Sequence, residues 1–238
     1  MTFTLDQTAF LLILVLVTGL IHSFAQAPLG FLLQMAGNSL GRSKPYRALW
    51  LSLLMILGIF AISTLLLIIS YAALIVVSPD QEAQRYTAGI LAILSGIFIT
   101  FKYFRKGPST ELWLSRHFAR GLQKSVDEAR RPGAAFGVGM LSVLIEIPLT
   151  FPLLMIATIF ARDMYVEESN IAFILYAFAL SLPLLIAGLF MAHGKRIVAI
   201  QKQRVHGKTF IQILFGIATI GLGLYVVSGA YQTTGALL

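Results

Sequence analysis

Six stretches of the 238-residue chain are long and apolar enough to cross a lipid bilayer, near residues 9–36, 48–77, 86–104, 134–160, 171–193 and 209–230. A hydrocarbon layer about 30 Å thick takes roughly 20 residues of helix. Polar positions gather in the short intervals between the stretches, so the pattern predicts an all-α polytopic membrane protein with six transmembrane helices. Two of the six are interrupted. "GLIHSFAQAPLGF", residues 19–31, carries His22, Gln26 and Pro28 inside its apolar run, and "GMLSVLIEIPLTF", residues 139–151, carries Glu146 and Pro148. Both read Gly, six residues, an acid or its amide, one residue, Pro-Leu, one residue, Phe.

Charge turns this likeness into a topology. Sixteen of the eighteen Lys and Arg fall in Arg42 to Arg47, Lys102 to Arg131 and Lys195 to Lys208; only Arg85 and Arg162 lie in the other two loops, beside Asp80, Glu82, Asp163, Glu167 and Glu168. Basic loops stay on the cytoplasmic side, which places both termini outside the cytoplasm. The first and fourth spans then cross in opposite senses, and a 3+3 inverted-topology repeat with kinked first and fourth helices follows. The third and sixth spans add a second likeness: "GILAILSGIF" (89–98) and "GIATIGLGLY" (216–225) each hold two glycines seven apart and end on an aromatic residue. Glycines at that spacing return to nearly the same helix face, where two backbones can approach closely. The expected organisation is a first three-helix repeat (1–106), a linker (107–133) and a second repeat (134–238). Within the linker, Leu114, Phe118 and Leu122 recur every four residues among Arg116, Arg120 and Lys124, the pattern of an amphipathic helix lying on anionic headgroups.

Composition narrows the function. The chain is 58% apolar and 12% charged, with a mean hydropathy of +0.85. Its first eight residues hold Asp6 and no cation, so no signal peptide is read and the first span is expected to remain. The net charge of +8 sits in loops beside the bilayer, which speaks for a lipid partner and against nucleic acid. There is no cysteine, which excludes disulfides and thiolate metal sites. No hydrolase elbow, phosphate-cradling loop or zinc-protease helix occurs, so neither an enzyme nor a cofactor is expected, and no metal centre. Exposed Phe and Leu on the spans fit lipid contact and a homodimer face equally well.

Glu146 is the leading candidate for chemistry. A carboxylate at mid-bilayer costs at least ~3 kcal/mol and usually faces a bundle interior or a wet cavity; a medium that penalises its charged form makes it a candidate to exchange a proton or a cation. Alternatively it is a permanently protonated acid bonded to a neighbouring helix. Gln26 is its counterpart in the repeat, either a ligand group or a bond between helices. Pro28, Pro148 and Pro152 remove backbone donors, and such breaks at membrane depth are tolerated beside a cavity or inside protein. Pro183 interrupts the fifth span and is read as a kink or a gate. His22, one turn before Gln26, is expected to line the same site, with packing as the other reading and a metal ligand a weaker one. His193-Gly194-Lys195 and His206-Gly207-Lys208 read as solvated basic turns.

Taken together, the segment "GFLLQMAGNSLGRSKPYRALWLSLLMILG", the turn Ser39-Leu40-Gly41-Arg42, the basic linker followed by a glycine and Pro148, and the paired-glycine spans resemble the lysine exporter (LysE/RhtB-like) superfamily of six-span bacterial transporters. The likeness covers most of the chain. Where amino-acid exporters of that group carry a Pro-Gly-Pro-like and an Asn-Pro-Lys-like element, this chain has Gln26-Ala27-Pro28 and Glu146-Ile147-Pro148. The cysteines of electron-passing relatives are absent, and of the His and Asp cluster of nickel and cobalt relatives only His22 remains. The resemblance implies a multi-pass protein of the bacterial inner (plasma) membrane. It also implies a proton- or ion-coupled exporter of a small polar or cationic solute, an amino acid or a cation, that alternates access by rocking one half against the other. Gln26, Pro28, Glu146 and Pro148 would line its site. A non-transporting assembly partner or lipid-handling protein is the competing expectation.

Overall fold

The computed structural model describes residues 5–25, 32, 45–77, 80–103, 132–192 and 197–229. Among the described residues run six helices: α1 (Leu5–His22), α2 (Pro45–Val77), α3 (Gln81–Tyr103), α4 (Pro132–Arg162), α5 (Val166–Ala192) and α6 (Ile197–Val227). Among the described residues there is no strand. Five of the helices are long and apolar enough to cross a membrane; α1 contributes a shorter apolar stretch, Gln7–His22. Their outer surface is apolar along its middle. Exposed Leu57, Leu65, Ile68 and Leu94 stand between exposed aromatics at either end, with Tyr86 and Tyr165 at one and Trp50, Phe101 and Phe210 at the other. Along α3, Tyr86 and Phe101 are about 22 Å apart at 1.5 Å per residue. Aromatic residues favour the two bilayer interfaces, so the protein is membrane-embedded.

Two boundaries depart furthest from the pattern. The first span ends as a helix at His22, where the amides of Phe24 and Ala25 turn back to the carbonyls of Ile21 and His22, at 3.1 and 2.9 Å. The residues that were to carry its bend, Gln26 and Pro28, lie outside the described residues. The sixth helix, by contrast, starts twelve positions early, at Ile197. His206-Gly207-Lys208 therefore sits within a helix and not in a turn. Polar Gln, Lys and Arg are good helix formers that hydropathy scores as loop, and one Gly does not offset them.

The helices interlock. α3 packs most extensively on α6, α2 on α4 and α5, and α1 on α5, so each of these pairings joins one of the first three helices to one of the last three. Glycines set the closest approaches. A Cβ on Gly89 would lie 2.8 Å from the Gly223 carbonyl oxygen, and one on Gly96 would lie 2.7 Å from that of Gly216, so α3 and α6 meet backbone to backbone at two levels. On the α2–α4 crossing, Gly58 abuts the Phe136 carbonyl and Gly139 abuts that of Met55. On the α1–α5 crossing, Gly19 faces the Tyr176 carbonyl, 2.7 Å from where its Cβ would be. Small residues at helix crossings gain dispersion contacts that lipid cannot supply.

The end at which α1, α3 and α5 begin is tied by polar side chains. Asp80 caps α3, accepting from the amides of Glu82 and Ala83 at 3.0 and 3.3 Å, as an N-cap carboxylate does. The guanidinium of Arg162 donates to Gln84 Oε1 at 2.7 Å, Gln84 Nε2 donates to the Leu74 carbonyl at 2.7 Å, and Arg85 pairs with Asp163 at 3.5 Å. The two cations outside the basic stretches are thus the pair that fastens α3 to α4.

Candidate functional site

The inner face of α4 builds the site. Gly139, Ser142, Val143, Thr150 and Leu153 are buried, whereas Leu141, Leu144, Pro148 and Phe151 are exposed. At 3.6 residues per turn these form two opposite stripes. Glu146 falls on the buried stripe, between Ser142 and Thr150, and is itself only half-buried. Pro148, about 200° further round the helix, points the other way. The structure therefore separates two residues that the sequence pattern grouped.

The helix runs unbroken through both of its prolines. Pro148 removes the donor that the Leu144 carbonyl would accept, and Pro152 removes that of the Pro148 carbonyl. Hydroxyls act on the same turns: Thr150 Oγ1 donates to the Glu146 carbonyl at 3.0 Å, and Ser95 Oγ, from α3, donates to the Leu149 carbonyl at 2.8 Å. Pro152 is buried. Ser95 had gone unremarked in the sequence, where a serine next to a glycine in an apolar span carries no distinguishing sign. Pro183 is half-buried within α5, which also continues through it.

His22 has a partner that the pattern did not indicate. Its ring is wholly buried, and its Nδ1 lies 2.6 Å from the hydroxyl of Tyr176 on α5, itself wholly buried. The two rings meet edge to face with centroids 5.8 Å apart. Tyr176 sits in "FILYAFAL", where a tyrosine reads as one more large apolar residue; only the presence of a histidine in another span hinted at a hydroxyl to match it. His22 Nε2 has no hydrogen-bond partner among the described residues. Ser142 stands at the corresponding place in α4, three residues after its glycine, and donates to the Gly139 carbonyl at 2.7 Å.

Among the described residues no group of three His, Cys, Asp or Glu could hold a metal ion. The chain matches no protein-family model, no curated protein and no solved structure.

Proposed function

We propose that the protein is a secondary membrane transporter, a proton- or ion-coupled exporter of a small polar or cationic solute. The observation that carries this reading is Glu146, an acid on the bundle-facing stripe of a membrane helix, bordered by buried residues yet accessible. An ionisable group placed there costs several kcal/mol in lipid and is retained where it faces a pathway or a partner. Glu146 would hold the solute or the coupling ion and release it as its proton returns. The export direction derives from the resemblance to the lysine exporter superfamily, as does placement in a bacterial inner membrane.

An inverted repeat is part of the proposal. Exchange α1 with α4, α2 with α5 and α3 with α6: the pairing of α2 with α4 becomes that of α5 with α1, and the α3–α6 and α2–α5 pairings return to themselves. The glycines support the same operation, since Gly89 against Gly223 becomes Gly216 against Gly96, and Gly139 on α2 becomes Gly19 on α5. Because the seams run between the halves, the movement we envisage rocks one half against the other, turning α1 on α5 and α2 on α4 with the two glycine crossings as joints.

The test is flux into proteoliposomes under an imposed pH gradient, using labelled amino acids and divalent cations as the panel. Glu146→Gln should abolish uptake of whichever class is carried, while the protein remains folded and inserted. Full activity in that variant would remove the acid from the mechanism. Silence across the whole panel would favour the competing reading, a non-transporting assembly or lipid-handling protein.

A further inference from the structure

The bonding of His22 is half complete, and the half that is made has two possible senses, since the roles of a ring nitrogen follow its tautomer. A phenol is the better proton donor of the two groups and an imidazole nitrogen the better acceptor, so the stronger bond has Tyr176 donating and Nδ1 accepting. A histidine whose Nδ1 accepts is neutral, and its one ring proton is on Nε2. That N–H lies in a wholly buried ring with no partner among the described residues. Thr18, one turn back and also buried, directs its own proton to the Leu14 carbonyl at 2.7 Å. A buried donor without an acceptor bears its desolvation cost uncompensated. With Nδ1 occupied and Nε2 protonated, neither nitrogen offers a lone pair to a metal.

We propose that Tyr176 is a positioning residue that fixes His22 as the Nε2–H tautomer, and that this N–H is a donor site for an acceptor oxygen. The oxygen comes either from a bound water or from a solute. The tautomer stands independently of the transport reading, whereas a solute as the source of the oxygen rests on it. The site is complementary in sense to Glu146: one offers a hydrogen, the other accepts a proton or a cation. Its chemistry would select carbonyl, carboxylate or hydroxyl oxygens over metal ions.

Nitrogen-labelled histidine in the full chain, held in lipid nanodiscs, reports the tautomer by nuclear magnetic resonance. The chain has four histidines, and loss of one signal in His22→Gln assigns it. The wild-type protein should show Nδ1 unprotonated and Nε2 protonated, and Tyr176→Phe should split the signal between both neutral tautomers. A wild-type signal from the Nδ1–H form overturns the proposal without any variant, as does a folded Tyr176→Phe protein that stays wholly Nε2–H. Transfer of magnetisation from water to Nε2–H, with no solute added, identifies water as the acceptor. A shift of Nε2–H on adding acetate, a minimal carboxylate acceptor, identifies a site open to solutes. Absence of both overturns the donor site. A silent flux panel alongside the expected tautomer would count against transport alone.

Discussion

The crossing of α1 on α5 and the crossing of α4 on α2 are made from the same part, a glycine pressed against the backbone of a neighbouring helix, and they differ in what surrounds it. Around Gly139 the neighbours are apolar or self-satisfied: Met55 is wholly buried, Gly58 lies opposite, and Ser142 bonds within its own helix. Around Gly19 stand His22 and Tyr176, bonded across the helices with one nitrogen left over. One crossing has only packing to lose. The other stakes part of its stability on a polar contact and keeps a donor in reserve, which suits a joint that also recognises something.

Substitutions that enlarge the glycines should separate the two most widely. Gly139→Val forces a branched side chain into the Met55 backbone, where no rotamer relieves the overlap, and should cost about 3 kcal/mol or more, at the top of the overpacking range. Loss of monodisperse protein on size exclusion would report it. Gly19→Val should be severe but smaller, because the Tyr176 carbonyl stands farther from its Cβ position than the Met55 carbonyl does from that of Gly139. Equal losses would mean that the reciprocal glycine opposite Gly139 adds nothing. Tyr176→Phe comes next. Hydrogen bonds between membrane helices are worth about 1 kcal/mol, so a fall in thermal stability of that order is expected, with no comparable effect from Met55→Leu at the matching place. The smallest effect should come from Ser142→Ala, below about 0.5 kcal/mol, since its hydroxyl serves only its own helix. A larger loss there would make the second crossing polar after all.

Apolar run length placed α2 to α5 to within about five residues at their ends, because a hydrocarbon slab imposes a similar helix length on any sequence that crosses it. It failed at α6 for the same reason: hydropathy records affinity for lipid, whereas the segment from Ile197 holds its helix by backbone propensity in polar residues. Glycine spacing indicated a close backbone approach on α3 and on α6, since a missing side chain at two levels of one face has few uses besides that, but not that the two helices make it with each other. The α1 to Tyr176 contact was not legible. A phenol is mostly apolar surface with one polar atom, and its position along α5 obeys no periodicity that would set it apart. Glu146 stood out by charge, and helical spacing alone sets Pro148 on the opposite face; which of the two faces is buried needed the stripes of α4.

One consequence follows from the length of α6. Residues 210–227 suffice to cross the bilayer, and residues 197–209 continue the same helix by about 20 Å, beyond the lipid. That stalk is stiff, and it runs into a helix whose Gly216 is seated on α3 beside Gly96 and Thr100. A torque applied to the stalk is therefore carried along the helix to the α3 seam, giving anything that grips it in the aqueous phase mechanical purchase on the middle of the protein.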